Sequence, residues 1–304
     1  MTKKYKNIIY EKDKEIRHLA HLILNRPEKR NAISMGPGQM TDEIKQAIKE
    51  ADDDDDVKVV VLRGNGKDFS AGFDLSMVYK VYGGNRQVRP SQRARLKFDE
   101  DHIIGTRKTL LYCKKVVVAQ VHGWCIEGGL YLVEASDIAI AAKNAKFNHR
   151  GQRLAFGGTI AMPFELLQGH MKKTVELLLT GRTISGEEAE AMGIITKAVE
   201  QEILEHEVRT LCKAICLLPS DAIAIGKMNR KNVMEFLGLT NVLYQATYHT
   251  LATNIHYVPE EKDFIFLKDR ETGGTKAAFE KLHKAFEDIL SQTKYFKSYV
   301  PDEK

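Results

Sequence analysis

The alternation of apolar and polar positions along the chain predicts helices and strands that follow one another, as in an α/β protein. Residues 5–26 alternate charged and apolar groups up to Pro27, which predicts strands that end at this proline. Residues 39–51 carry apolar side chains at helical spacing. An aspartate run then leads into VKVVVLRG, an uninterrupted apolar segment that is typical of a parallel strand buried on both faces.

The same order recurs further along the chain. A helical pattern over 96–113 leads into the apolar segment KKVVVAQVHG, a glycine turn, a helix through Glu134 and the strand DIAIAA. Residues 80–95 are polar, basic and interrupted by glycine and proline, so we expect a surface loop there. These elements predict a mixed core that spans residues 1–200.

The remaining residues, 201–304, are expected to form a helical C-terminal region. From Pro163 onward the pattern is mostly helical, and Ser185 with Glu188 forms a capping box. The final segment, GTKAAFEKLHKAFEDIL, is amphipathic and should cover the core or a partner subunit. Its predicted apolar face consists of Ala277, Phe279, Leu282, Phe286 and Ile289.

Composition and charge narrow the class of protein. With 43% hydrophobic and 29% charged residues in 304, the chain has the composition of a globular protein. Its net charge of +5 is dispersed, so nucleic acid is an improbable partner, whereas a small polyanionic thioester is compatible. The cysteines lack metal-ligand spacing beyond one C-x-x-x-C pair, and the aspartate run is interpreted as a solvated connection, so no metal site is expected.

The location of the protein is expected to be cytoplasmic. The segment MTKKYKNIIY is too poor in apolar residues for the hydrophobic region of a signal peptide. No apolar run reaches the roughly 18 residues of a membrane span. The four cysteines are interpreted as buried, reduced thiols.

Two short segments, SAGFDL at 70–75 and HGWCIEGGLYL at 122–132, are glycine-containing turns that leave backbone N–H groups uncovered. Gly128 precedes an apolar helix, so its N–H group should lie at a helix N-terminus, where negative charge is stabilised. Two such donors facing one carbonyl oxygen would stabilise an enolate or a tetrahedral oxyanion by ~3 kcal/mol each. Either turn alone is more typical of an ordinary tight turn than of a binding site.

The turns lie within a longer pattern that consists of NRPEKRNAIS, VVVLRGNGKDFSAGFDLS, the apolar strand before the second turn and ELLLTGRTISGEEAEAMGIITKAV. This pattern resembles the crotonase superfamily, which contains enoyl-CoA hydratases and isomerases. The resemblance covers roughly residues 8–290. It implies a ββα spiral core, also called ClpP-like, with a helical C-terminal trimerisation region and assembly as a homotrimer or a dimer of trimers. It also implies an acyl-CoA thioester substrate and no separate cofactor, because coenzyme A is part of the substrate.

The resemblance implies roles for particular residues. The thioester oxygen would be bound by the N–H groups of Phe73 and Gly128. The loop that contains Lys29 and Arg30 would line the coenzyme A channel, although both residues could equally be ordinary exposed charges. The residues carried over as neighbours of the substrate are Lys29, Arg30, Ala32, Ala71, Gly72, Asp74 and Leu75.

The sequence departs from this family where a hydratase carries its two catalytic glutamates. Tyr131 stands at the first position, and Gly151, preceded by Arg150, stands at the second. The glycine triplet has become Glu127-Gly128-Gly129. The candidates for the acid and base, or for a clamp on a substrate carboxylate, are Tyr131, Glu127, Glu134, His149 and Arg150. For Glu127 a surface carboxylate is the slightly favoured alternative, and for His149 a structural histidine is an equal one.

The first interpretation is an acyl-CoA enzyme of the enoyl-CoA hydratase/isomerase type that stabilises a thioester enolate. The second is a C–C bond-cleaving relative, such as a ring-opening hydrolase or a decarboxylase, which Arg150 and His149 favour. A third, from another class, is a non-catalytic acyl-CoA-binding or RNA-associated subunit, which the loss of both glutamates favours. The sequence leaves the choice between hydration, isomerisation and cleavage open.

Overall fold

The structure is a computed structural model that describes residues 5–77, 91–151, 153, 170–238, 241, 244 and 266–301. The predicted loop at 80–95 therefore lies largely outside the described residues. The last part of this segment is not a loop, since a helix begins at Gln92. Ser91 caps this helix by accepting a hydrogen bond from the Ala94 N–H group.

The main sheet has six strands in the order β1-β2-β3-β4-β6-β9. Their bounds are β1 Ile8–Lys12, β2 Leu19–Leu24, β3 Val59–Gly64, β4 Val116–Val121, β6 Ile138–Ala142 and β9 Lys197–Val199. β1 and β2 are antiparallel, and every other neighbouring pair is parallel. Val59 to Leu62 are buried, as the uninterrupted apolar run in β3 predicts. The predicted α/β order is confirmed for these elements.

A second sheet of three strands lies beside the first and carries the candidate site. Its order is β5-β7-β8, with β5 Trp124–Ile126, β7 Lys146–Asn148 and β8 Thr183–Ser185. β5 and β7 are parallel, with Ile126 opposite Asn148. This register places the residue after each strand, Glu127 and His149, next to each other.

The helices cover the sheets and make up the described part of the chain after residue 200, apart from short connections. Their bounds are α1 Met40–Asp53, α2 Gln92–Asp99, α3 Gly105–Tyr112, α4 Gly128–Glu134, α5 Met171–Thr180, α6 Gly186–Ala191, α7 Leu204–Ile215, α8 Ser220–Phe236 and α9 Phe266–Leu290. A π-helical turn, Glu100–Ile104, joins α2 to α3. The predicted helix at 96–113 is thus two helices joined by a wider turn.

Two local predictions are confirmed and one is corrected. Ser185 and Glu188 form the complete capping box at the start of α6, and all four cysteines are buried free thiols. In α9, Leu282 is buried, but Ala277 and Ile289 of the predicted apolar face are exposed. Ala277 lies five residues before Leu282, about 140° round the helix, whereas Ala278 lies four residues before Leu282 on the same face and is buried.

The hydrophobic core lies between the main sheet and the helices on its faces. Its members from α1, Met40, Ile44, Ala47 and Ile48, lie at the helical spacing that the sequence predicts. Among the described residues, no helix combines the length and hydropathy of a membrane span.

Candidate active site

The two glycine turns meet because the first turn pairs with β5. The Ser70 N–H group donates to the Trp124 carbonyl at 2.9 Å, and the Ile126 N–H group donates to the Ser70 carbonyl at 3.0 Å. Gly72 adopts a φ of +83°, and a Cβ atom there would lie 2.7 Å from the Ile126 carbonyl oxygen. Only glycine fits this close approach without displacing β5.

The same pairing brings Phe73 next to Gly128. Ser70 and Cys125 are partners in an isolated β-bridge. Phe73 lies three positions after Ser70, and Gly128 lies three positions after Cys125. The Phe73 ring packs so closely on Gly128 that an added Cβ would lie 2.9 Å from its Cε1 atom. Within the described part of the chain, neither the Phe73 nor the Gly128 N–H group donates a hydrogen bond to a protein acceptor. Both donors are therefore available to a ligand.

Glu127 lies directly before Gly128, in a backbone conformation that a side chain rarely adopts. Its φ is 45° and its ψ is −110°, and its N–H group donates to the Asn148 carbonyl at 3.1 Å. A non-glycine residue held in such a region costs roughly 1–3 kcal/mol and is typical of functional sites. The Glu127 side chain is only 17% exposed, so it is not the surface carboxylate that was the favoured alternative in the sequence.

The carboxylate of Glu127 forms one hydrogen-bonded group with Tyr131 and His149. The Tyr131 hydroxyl donates to Glu127 Oε2 at 3.0 Å and lies 3.3 Å from His149 Nε2. His149 is completely buried, with Nε2 3.6 Å from Glu127 Oε2. Glu127 Oε1 and His149 Nδ1 are buried and lack a hydrogen-bond partner in the described structure. We call Glu127, Tyr131 and His149 the acid/base cluster.

Glu134 lies outside this cluster. Its Oε2 atom pairs with Arg107 Nη2 at 3.1 Å, and both side chains are almost fully buried. The Arg107 guanidinium also lies 4.9 Å from the centre of the Tyr131 ring. Glu134 therefore neutralises a buried arginine that packs on Tyr131, and its role as an acid or base stays a prediction.

A narrow pocket lies on the side of Tyr131 that faces Phe73. Its volume of ≈ 10 Å³ is about that of one water molecule. Its lining residues are Ile33, Thr41, Phe73, His102, Ile103, Thr106, Arg107, Gly128, Tyr131 and Leu132. Gly128 thus lines this pocket and directly follows Glu127 of the acid/base cluster.

Arg150 lies on the other side of the cluster, after β7. Its Nη2 atom is 3.4 Å from Thr183 Oγ1. Burial lowers the pKa of the Arg150 guanidinium, and the carboxylates of Glu287 and Glu127 act in the opposite direction. Arg150 is thus within electrostatic reach of Glu127 but makes no ion pair with it in the described structure.

The loop proposed for coenzyme A places its charges outward. The side chains of Lys29 and Arg30 are 50% and 67% exposed. Lys29 Nζ lies 3.7 Å from Asp74 Oδ2, and Arg30 Nε lies 3.6 Å from Asp68 Oδ2. These long contacts leave both cations accessible to a phosphate.

The smaller candidates near this loop hold the backbone together. The Ala71 N–H group donates to the Arg30 carbonyl at 2.8 Å, and the Ala32 carbonyl accepts from Arg26. Asp74 is buried; burial alone would raise its pKa, but hydrogen bonds from Ser76 and Arg26 outweigh burial and lower it. Leu75 begins the short turn Leu75–Met77.

Sequence reasoning missed Arg26 and Asn31 as the residues that fix this loop. Arg26 Nη2 donates to Asp74 at 2.9 Å. The amide of Asn31, which is fully buried, donates to the carbonyls of Asn65 and Asp68, both at 2.8 Å. The φ of Asn31 is 54°, and asparagine tolerates this left-handed region, so an asparagine after two charged loop residues was the available signal.

Comparisons with known proteins agree with this geometry. The family model described as "Enoyl-CoA hydratase/isomerase" matches residues 15–288. The chain is 32% identical, over 64% of its length and 70% of the relative, to a peroxisomal Delta(3,5)-Delta(2,4)-dienoyl-CoA isomerase of Arabidopsis thaliana. It is 30% identical, over 76% of its length and 84% of the relative, to a crotonyl-CoA hydratase of Syntrophomonas wolfei.

Solved structures show the same architecture. An enoyl-CoA hydratase/isomerase from Xanthobacter autotrophicus Py2 superposes with a TM-score of 0.77 at 26% identity, over 93% of this chain and 99% of that one. The fold is therefore the crotonase fold, as the sequence resemblance predicted. The chain belongs to the enoyl-CoA hydratase/isomerase family, and it is an acyl-CoA enzyme of that family.

Proposed function

We propose that this protein forms a thioester enolate, with the substrate carbonyl oxygen bound by the N–H groups of Phe73 and Gly128. Neither donor is used by another described residue, and the pairing of Ser70 with Cys125 brings their turns together. The Gly128 donor lies at the first position of α4, where the peptide dipoles stabilise negative charge. Removing one such donor typically costs about a hundredfold or more in rate.

Glu127 is the proposed base, and double-bond isomerisation is the reaction that the site supports best. The observation that carries this proposal is that Oε1 of Glu127, one residue from the Gly128 N–H group, accepts no hydrogen bond from the described residues. The carboxylate removes a proton from the α-carbon of an unsaturated thioester, and the electron pair moves into the carbonyl. The protonated Glu127 then returns the proton to the γ-carbon. A single carboxylate suffices for both transfers.

Tyr131 and His149 are the proposed positioning residues of this base. The Tyr131 hydroxyl holds Oε2 of Glu127, which leaves Oε1 to face the substrate. His149 fixes the Tyr131 hydroxyl from the other side. The isomerase named among the relatives is consistent with this chemistry.

Hydration is the second candidate, and the Tyr131 and His149 contact favours it. Addition of water needs an acid in addition to a base, and a tyrosine hydroxyl beside a histidine can donate a proton. The hydratase from Syntrophomonas wolfei supports this alternative by its similarity. Cleavage of a C–C bond and binding without chemistry are the remaining outcomes.

Proton exchange tests the proposal before any choice between reactions. Butyryl-CoA is incubated with the protein in deuterated water, and the mass of the thioester is followed. We expect deuterium at the α-carbon with wild-type protein and a loss of about a hundredfold or more with Glu127→Gln. Gln201→Glu, an exposed substitution in the helical region, serves as the control. Binding without exchange would exclude the enolate and leave a non-catalytic subunit.

The type of reaction is decided by product masses in water enriched in heavy oxygen. Isomerisation of a β,γ-unsaturated thioester leaves its mass unchanged, whereas hydration adds labelled water. Loss of carbon dioxide or ring opening would instead establish C–C cleavage.

We also propose that Lys29 and Arg30 bind the coenzyme A phosphates, since both cations are exposed and held only by long contacts. A homotrimer or dimer of trimers is the proposed assembly. It is supported by the exposed apolar residues of α8, of which Phe236 is 91% exposed. A cytoplasmic location stays a prediction, and the name of one relative places that relative in peroxisomes.

A further inference from the structure

Arg150 is a partly buried cation that makes no ion pair with a carboxylate of the described residues. Its Nε atom is inaccessible to solvent and has no hydrogen-bond partner, and no carboxylate of the described residues lies within 4.0 Å of its guanidinium. Its one hydrogen bond within the described chain, to Thr183 Oγ1, is long at 3.4 Å. An inaccessible Nε–H group that finds no acceptor among the described residues is costly, so the contact with Thr183 alone does not explain why this guanidinium lies here.

The neighbouring cation, Arg153, already has a carboxylate partner, although its Nη2 atom finds no hydrogen-bond acceptor among the described residues either. Arg153 is completely buried, and its Nη1 atom pairs with Glu287 Oε1 at 3.0 Å and contacts His283 Nδ1 at 3.4 Å. Its Nε atom donates to the Thr180 carbonyl, and its guanidinium stacks on Phe286. Glu287, the nearest acidic residue of α9, is therefore engaged by Arg153 and not by Arg150.

Arg150 also lies next to the acid/base cluster. It follows His149 in the chain and precedes Gly151, where an added Cβ would lie 3.4 Å from both carboxylate oxygens of Glu127. An acyl group that extends from the oxyanion site past Glu127 would therefore approach Arg150. The exposed cations Lys29 and Arg30 belong to a different loop, after β2.

We propose that Arg150 binds a second carboxylate carried by the acyl group, so that thioesters of dicarboxylic acids are the preferred substrate class. This inference rests on the proposed function of the site. A planar guanidinium suits a carboxylate because it donates two parallel hydrogen bonds. The carboxylate of the substrate would supply the negative charge that no described residue places within ion-pair distance of Arg150. Carboxylate and phosphate share this chemistry, so the coenzyme A phosphates are the competing source of the anion.

Equilibrium binding of two unreactive thioesters tests the proposal. Glutaryl-CoA and butyryl-CoA differ by one terminal carboxylate and carry the same coenzyme A. Their dissociation constants are measured by calorimetry with wild-type protein, Arg150→Gln and Arg150→Lys. Arg17→Gln is the control, because the Arg17 side chain is 81% exposed. We expect wild-type protein to bind glutaryl-CoA about tenfold or more tightly than butyryl-CoA, as one charge-assisted hydrogen-bonded pair predicts.

The variants distinguish the source of the anion. Arg150→Gln should remove the preference for glutaryl-CoA and leave butyryl-CoA binding unchanged, Arg150→Lys should restore part of it, and Arg17→Gln should retain it. An equal loss for both thioesters would assign Arg150 to the coenzyme A phosphates and overturn the proposal. Equal affinities in wild-type protein would overturn it even if Arg150→Gln failed to fold. Binding requires no turnover, so this result is independent of the α-proton exchange that tests the enolate.

Discussion

At the scale of single residues, the distinctive feature of this chain is a glutamate in a strained turn. Glu127 takes the first place of what is otherwise a glycine triplet, with a φ of 45°. Its side chain reaches Tyr131 and lies near Gly151. A position that suits glycine is thus occupied by a carboxylate at a cost in stability, which is consistent with a role in chemistry.

Replacing Glu127 by glycine should therefore stabilise the fold while it abolishes the chemistry. We expect Glu127→Gly to raise the free energy of unfolding by about 1 kcal/mol, because glycine adopts positive φ without strain. α-Proton exchange should fall at least as far as in Glu127→Gln. Chemical denaturation and the exchange assay measure the two effects. The matched variant Glu127→Gln keeps the strain, so a similar gain in its stability would contradict this explanation.

At the scale of elements, charged and aromatic side chains of α9 contact Arg153, which lies near the site. Arg153 contacts Glu287 and His283, and it stacks on Phe286, all from α9. Burial, followed by the nearby cations Arg150 and Arg153, lowers the pKa of His283 to about 3. At a pH between about 3 and the ordinary histidine pKa of about 6.5, His283 is therefore neutral in the folded protein and protonated in the unfolded chain.

This shift predicts how the attachment of α9 depends on pH. The unfolded chain takes up a proton at His283 near its ordinary pKa of about 6.5, whereas the folded protein does so only near pH 3. The stability that neutral His283 contributes is present above about pH 6.5 and is lost as the pH falls towards 3.

The variant His283→Gln should remove this part of the acid sensitivity. As the pH falls from about 6.5 to 4.5, the free energy of unfolding of this variant should rise relative to that of wild type. The expected rise is about 1–2 kcal/mol after allowance for partial exposure. Urea denaturation at several pH values measures the difference. A difference that does not change with pH would show that His283 does not carry this contribution.

At the scale of the whole molecule, α8 leaves an apolar face uncovered within the described protomer. Ile225, Met228, Val233 and Phe236 are 59%, 61%, 58% and 91% exposed and recur at helical spacing. Exposed apolar side chains that gather on one side of a helix are typical of an interface between protein chains. It supports the proposed trimer, because the residues lie in the C-terminal helical region.

Charge on this face should weaken the assembly. We expect Phe236→Glu to lower the mass measured by light scattering, because a carboxylate would have to be buried without a partner. Gln201→Glu adds the same charge at an exposed polar position and should leave the mass unchanged. An unaltered mass for Phe236→Glu would place the interface elsewhere.

The sequence by itself determined the local elements and the family. The apolar run in β3, the helical spacing in α1 and the capping box of α6 depend on residues close together in the chain, so their patterns predicted them. The two glycine turns were recognisable for the same reason. The predicted face of α9 was wrong at Ala277, because the buried residues Ala278 and Leu282, four positions apart, define the side that faces the core.

Only the tertiary structure decided which side chains act together at the site. The pairing of β5 with β7 places His149 beside Glu127, and the Ser70 bridge places Phe73 beside Gly128. The same structure assigns Glu134 to Arg107 and leaves Arg150 without a carboxylate. These relations join residues far apart in the chain, and their energies depend on burial and distance, neither of which is present in a local pattern of residue types.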